Sequence, residues 1–268
     1  MDSARRAPSH WHVIATIARR EVAMAARRRI VRVFFTMSLL PPIVFGTVLV
    51  VRVIVEQNFG MDIGFDPVML MLFIQLGPVS LLALSLGIPI VSRDRAEEVM
   101  YLYAVRPVFP VHYAAGKMLA VAVPTFLLLA VPGLLITVLR QGILGDAVKT
   151  TESILLAGKV LLSGVLAALV WSGLFVGASA AVKRARWALL LSFGVLVAAD
   201  AVGGILAFVG GVSEARVVSP DDALIAVMQF LFGDGGTLVA ILGMVSILAY
   251  AALGLAVVML RVRTEMTP

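Results

Sequence analysis

Six uninterrupted apolar runs dominate the chain: Val33–Ile54, Pro67–Val91, Met118–Leu139, Val160–Val182, Trp187–Val209 and Gly236–Leu260. Each is about the 20 residues a helix needs to cross roughly 30 Å of hydrocarbon. In lipid every backbone N–H and C=O must be satisfied within its own segment, which predicts helices. Barrel strands alternate polar and apolar positions over about ten residues, whereas these runs are continuously apolar. The expectation is an all-α polytopic membrane protein forming one domain over 1–268. Six transmembrane helices are joined by loops too short for a second fold.

Three further segments are patterned but do not span. In the first, Trp11, Ile14, Ala18, Val22 and Ala25 recur at steps of three and four, with Thr16, Arg20 and Arg27 opposite. This predicts a basic amphipathic helix in the headgroup layer, an elbow over about residues 10–32. It either fixes the angle of the bundle or is a topology signal touching anionic lipid. The second segment is residues 92–117. Ser92 or Asp94 suits a helix N-cap, and Glu97 and Glu98 suit the positive end of its dipole. Val99, Leu102 and Tyr103 share a face, and Pro107 and Pro110 end the helix. A solvated hairpin is the alternative, but Met100, Tyr101, Leu102, Tyr103 and Val105 make an apolar patch of the kind that meets a partner. The third segment, about 219–232, has Ser219 as N-cap, Pro220 at the first helical position, and Asp221 and Asp222 in the first turn. Leu224, Val227, Met228 and Leu231 form its apolar face. It is too short to span, which predicts an outer-face helix that is interfacial, re-entrant or a plug closed by Gly233-Asp234-Gly235-Gly236.

Charge orients the bundle. Seventeen of the 22 basic residues fall on the side carrying both termini and the second-to-third and fourth-to-fifth loops. The positive-inside rule puts that side in the cytoplasm. About thirty mixed residues precede the first apolar run, so that span is expected to stay as an anchor rather than be cleaved.

Composition agrees: 61% of residues are hydrophobic, 14% are charged, and mean hydropathy is +1.04. Soluble domains average about 45–50% apolar and about 25% charged. The net charge of +6 is confined to loops and ends, which argues for a membrane surface and against nucleic acid. There are no cysteines, and His10, His12 and His112 fall in segments expected to lie apart. No metal site is therefore expected. Asp200 is the acid well inside a span. A charge there costs about 2.5–3.5 kcal/mol, so it either contacts a substrate or proton or forms a buried polar pair. Gln75 is the lesser polar candidate, suited to an interhelical hydrogen bond. Lys159 is expected to snorkel. Pro41-Pro42, Pro78, Pro89, Pro124 and Pro132 are expected to kink their helices or form a hinge. Gly173, Gly177 and Gly203-Gly204 suit close helix approach.

The second segment carries a resemblance. Arg93-Asp94-Arg95 with Glu97-Glu98, then Met100 to Val105, Pro107 and Gly116-Lys117, resembles the coupling loop of type-2 ABC exporter permeases. The preceding elbow and the helix before the sixth span extend the likeness. The Gly-Thr pair common at the start of that family's coupling helix is here Glu98-Val99. The resemblance implies a non-catalytic permease in the cell inner (cytoplasmic) membrane with both termini cytoplasmic. It implies coupling to a separate ATPase partner, with Arg93, Arg95, Glu97, Glu98 and Arg106 as the polar rim. Tyr101, Leu102 and Tyr103 would be its anchors. ATP and Mg would sit on the partner, and none on this chain, which lacks the G-x-x-x-x-G-K-[ST] phosphate loop. Partners would be that ATPase, a second permease copy or related permease, and membrane lipids. The competing expectation is an ATP-independent, proton-linked transporter with Asp200 as carrier, or a membrane scaffold.

Overall fold

The computed structural model describes residues 9–59, 67–99, 109–144 and 149–266. Among these there are helices and no strands. They are α1 (His10–Ala26), α2 (Arg29–Met37), α3 (Leu40–Phe59), α4 (Pro67–Ala96), α5 (Pro110–Leu144), α6 (Thr150–Ala181), α7 (Ala185–Val209), a 3-10 helix (Ser213–Val218), α8 (Pro220–Phe232) and α9 (Thr237–Met266). Six segments are long and apolar enough to cross a membrane: α2 with α3, then α4, α5, α6, α7 and α9. Large apolar side chains also cover the outside of the bundle, Phe208, Val209 and Leu135 among them. An apolar exterior around an apolar core suits lipid. The fold is that of an all-α, multi-pass membrane protein.

The helices outrun the apolar runs. At 1.5 Å per residue, α4, α5, α6 and α9 are about 45 Å or longer, against roughly 30 Å of hydrocarbon. Their ends therefore project from it. Ser92 and Asp94 do not cap a new helix. They lie in the last turns of α4, where Ser92 Oγ donates to the Ile88 carbonyl and Asp94 is held by α5. The α4 helix then ends in a 6→1 closure, the Val99 N–H donating to the Asp94 carbonyl at 2.9 Å. Glu98 takes the left-handed conformation there, φ 55°, where glycine is the usual residue. Pro110 opens α5 instead of ending a helix, as its fixed φ suits.

One polar device repairs backbone bonds lost to proline, and a second braces α4 beside another proline. Pro42 and Pro132 have no N–H, which orphans the carbonyls four residues back, Ser38 and Leu128. The buried Gln75 amide donates to both, at 2.6 and 3.1 Å. The first span breaks at this point into α2 and α3. Near Pro89, the Ser179 hydroxyl of α6 accepts from the Val91 and Ser92 N–H groups at 3.0 and 2.9 Å and donates to the Ile88 carbonyl.

Close helix crossings centre on α6. A Cβ on Gly87 of α4 would stand 2.6 Å from Phe175 Cβ, and one on Gly254 of α9 would overlap the Gly173 carbonyl. Gly177 also abuts Gly254. Gly203 receives the backbone of Ala215 and Arg216, whereas Gly204 faces open space. The 3-10 helix and α8 close one end of the bundle, called here the far end. Pro220 occupies the first turn of α8, and Gly233 ends it at φ 101°. Leu224, Val227 and Met228 are buried, and Gly243 of α9 meets the Ala223 carbonyl. The near end carries both ends of the described chain.

Candidate functional site

The near end holds a buried charge hub. Lys117, in the second turn of α5, is 0% exposed. Its ammonium lies 2.7 Å from Glu21 of α1, 2.5 Å from Asp94 of α4 and 2.9 Å from the Ile90 carbonyl. Tyr113 of α5 donates its hydroxyl to Asp94 at 2.9 Å. Arg93 reaches Glu21 at 3.4 Å and Asp94 at 3.9 Å. Two acids meet two bases, so the hub is formally neutral, which is the condition for burying charge without a large desolvation cost. Burial and the nearby Arg93 guanidinium push Arg28 below the usual arginine value, with Glu21 opposing them.

Local sequence builds the hub. Gly116 presents no side chain to α1; a Cβ there would lie 2.8 Å from Ile17 Cβ and 3.2 Å from the Ile14 carbonyl. That close crossing lets Glu21 reach Lys117. The Gly116-Lys117 pair thus has a physical reading: the glycine admits the elbow helix and the lysine ties it down. A second pair lies beside the hub. Arg95, its side chain 6% exposed, meets Glu265 of α9 at 2.7 Å and donates to the Ala180 carbonyl at 2.5 Å. Together these contacts join α1, α4, α5, α6 and α9 where α4 leaves and α5 begins.

The sequence-derived coupling residues divide into three groups. Arg93 and Arg95 engage the chain's own carboxylates. Glu97 and Glu98 are exposed. Tyr101, Leu102, Tyr103 and Arg106 lie outside the described residues. The elbow face is corrected: Trp11 is 72% exposed, and the packed face runs through Ile14, Ile17, Ala18, Glu21 and Ala25. The histidines are corrected as well, because α1 crosses the start of α5. His10 Nδ1 and His112 Nε2 lie 2.7 Å apart, and no third metal-ligating side chain joins them among the described residues.

Gln75 serves the proline breaks described above. Asp200 is exposed on α7, and its charge acts on Asp221 and Asp222 at the start of α8. Burial first, then the charges of Asp200 and Asp222, raises the Asp221 carboxyl to about 6. Asp222 is raised by burial and Asp200, against Arg216. Lys159 stands 5.6 Å from the Phe232 ring, an aromatic rest for a half-buried ammonium.

Sequence reasoning missed Glu21, Tyr113, Ser179 and Glu265. A signal existed for Glu21: it is the sole acid between Asp2 and Glu56, and it falls on the apolar stripe of the elbow. No protein-family model and no curated protein matches the chain.

Proposed function

We propose that the chain is the permease subunit of an ABC-type exporter in the cytoplasmic membrane, moved by a separate ATPase that docks on residues 97–109. The supporting observation is the buried hub. It clamps both flanks of that loop to the elbow, and the Arg95 contacts add α6 and α9. A force on the loop therefore reaches five helices through ion pairs and a part-buried hydrogen bond instead of dissipating in a flexible hairpin. The arginine excess at the near end favours its cytoplasmic placement. A second copy would cover the α7 face, where Asp200 otherwise meets hydrocarbon at a cost of about 2.5–3.5 kcal/mol.

Affinity purification of the full chain from native membranes in mild detergent tests this reading. A phosphate-loop ATPase is expected to co-purify and to turn over faster in the complex. Tyr101→Asp, Leu102→Asp and Tyr103→Asp together are expected to release it. Recovery of the chain without any ATPase, or full stimulation by the triple variant, refutes the reading.

Proton-linked transport is the second reading, favoured by the gathering of Asp200, Asp221 and Asp222. It predicts uptake by the reconstituted chain alone, driven by a pH gradient and abolished by Asp200→Asn. Uptake that ignores the gradient removes it.

A further inference from the structure

An apolar groove of about 730 Å³ separates the elbow and first span from α4 and α5. Its walls include Ala26, Val31, Phe35, Leu82, Leu127 and Leu135. Along α5 it runs from Val123 to Leu139, about 24 Å at 1.5 Å per residue. That exceeds the roughly 15 Å of hydrocarbon in one leaflet. Its volume falls within the range of about 300–1,000 Å³ typical of ligand sites.

The mouth has the opposite character. Ala26 leads directly into Arg27 and Arg28, and Val31 lies between Arg28 and Arg32 in sequence. Arg29 and Arg32 line a shallower cleft on the neighbouring face of α2. None of Arg27, Arg28, Arg29 and Arg32 forms an ion pair among the described residues, in contrast to Arg93 and Arg95 a short distance away. Arg28 also occupies the N-cap of the nine-residue α2 without a side-chain cap bond. The first-turn N–H groups there add to the positive end of the helix dipole.

We infer that this groove is a binding site for one anionic phospholipid, an acyl chain along α5 and the headgroup phosphate on the Arg27–Arg32 cluster. The inference is independent of the exporter reading, since it needs only that the chain sits in a bilayer. Charge complementarity selects the occupant. A neutral lipid fills the slot equally well but leaves Arg27, Arg29 and Arg32 without an ion pair among the described residues, and Arg28 with only the distant Glu21 charge acting on it; an apolar peptide does the same. Guanidinium groups and phosphate form strong, directional hydrogen bonds.

Native mass spectrometry of the full chain, purified in mild detergent and exchanged against phosphatidylglycerol or phosphatidylcholine of identical acyl chains, tests it. One phosphatidylglycerol per chain is expected, retained at least tenfold better than phosphatidylcholine. Arg28→Gln with Arg29→Gln and Arg32→Gln is expected to abolish that preference, and the corresponding lysine variant to keep most of it. Leu127→Trp fills the groove from an exposed position and is expected to reduce retention of both lipids several-fold, with helicity and elution volume unchanged. Equal retention of the two lipids overturns the site. So does a preference that survives the glutamine variant, or binding that ignores the filled groove.

Discussion

Replacing Lys117 with methionine keeps the volume of the side chain and removes its charge. In the native hub the ammonium neutralises Glu21 and Asp94 at 2.7 and 2.5 Å, and both acid side chains are under a tenth exposed. After the substitution Asp94 retains the Tyr113 hydroxyl, and Glu21 retains Arg93 at 3.4 Å. Two buried carboxylates then share one partly exposed guanidinium. Breaking a buried pair from one side costs about 3–5 kcal/mol, because the remaining charge stays desolvated. By the scaling for large domains this lowers the melting temperature by on the order of 10 °C. The assay is thermal unfolding of the full chain in one detergent, followed by helical circular dichroism. A double variant, Asp94→Asn and Lys117→Met, removes one charge of each sign and leaves Glu21 paired with Arg93 at 3.4 Å, so it should recover most of the loss. The control is Lys159→Met, whose half-exposed contact with Phe232 is worth about 1 kcal/mol or less. A Lys117→Met protein that melts with the wild type, or a double variant no better than the single one, would refute the hub as a neutral buried joint.

Four further outcomes follow from the same contacts. Gln75→Leu deprives the Ser38 and Leu128 carbonyls of their donor. At about 1–3 kcal/mol per buried orphan, it should lower thermal stability clearly, while Pro42→Ala in the same protein restores part of it. Gly116→Ala forces a Cβ to 2.8 Å from Ile17 and is expected to cost about 1–3 kcal/mol, read as faster proteolysis of α1. Glu98→Gly relieves the left-handed turn at φ 55° and should stabilise the α4 terminus by about 1 kcal/mol, seen as slower amide exchange at Val99. Asp221 is raised from 3.8 to about 6, so its stabilisation is complete below about pH 4 and is lost as pH rises through about 6, a ceiling of about 3 kcal/mol. A melting-temperature series from pH 4 to 8 should slope downward with rising pH for the wild type. The slope should be shallower for Asp221→Asn, and equal slopes refute the assignment.

The six spans were legible because a helix in lipid must be apolar on every face, and that leaves long unbroken runs. Their ends were not legible, for a reason visible at Lys117. A lysine closes an apolar run in one dimension, yet α5 extends seven residues further toward its start because Glu21 and Asp94 neutralise that lysine from other helices. Ser92 and Asp94 misled in the same way. Their residue types favour N-caps, but Ile88, Tyr113 and Lys117 satisfy them inside a continuing helix. The α8 segment was readable in detail, from Pro220 through Gly233, because its start and stop signals are local. Gln75 was readable as an interhelical donor, and its two acceptors follow from where proline removes an N–H. That inference needs the helices placed side by side. The elbow stripe was read from Trp11 onward, whereas the packed face passes through Glu21, a position hydrophobicity alone never selects.

The two ends of the bundle are held by different chemistry. At the near end two acids and two bases sum to zero, and Arg95 with Glu265 adds a second balanced pair. Balanced charge at short distance is stiff, because any helix that withdraws leaves a desolvated partner behind. At the far end Asp200, Asp221 and Asp222 gather with Arg216 as the cation acting on Asp222, and the helices there meet through glycine and backbone. Such packing gives way to sliding at a lower cost than ion-pair rupture, and the acids make its strength depend on protonation. Between the ends, α6 crosses α4 where Gly87 meets Phe175, and it crosses α9 at Gly173, Gly177 and Gly254, contacts without side chains to interlock. Balanced charge and a part-buried hydrogen bond thus tie five helix ends together at the near end, whereas the far end is held by titratable acids and backbone contacts.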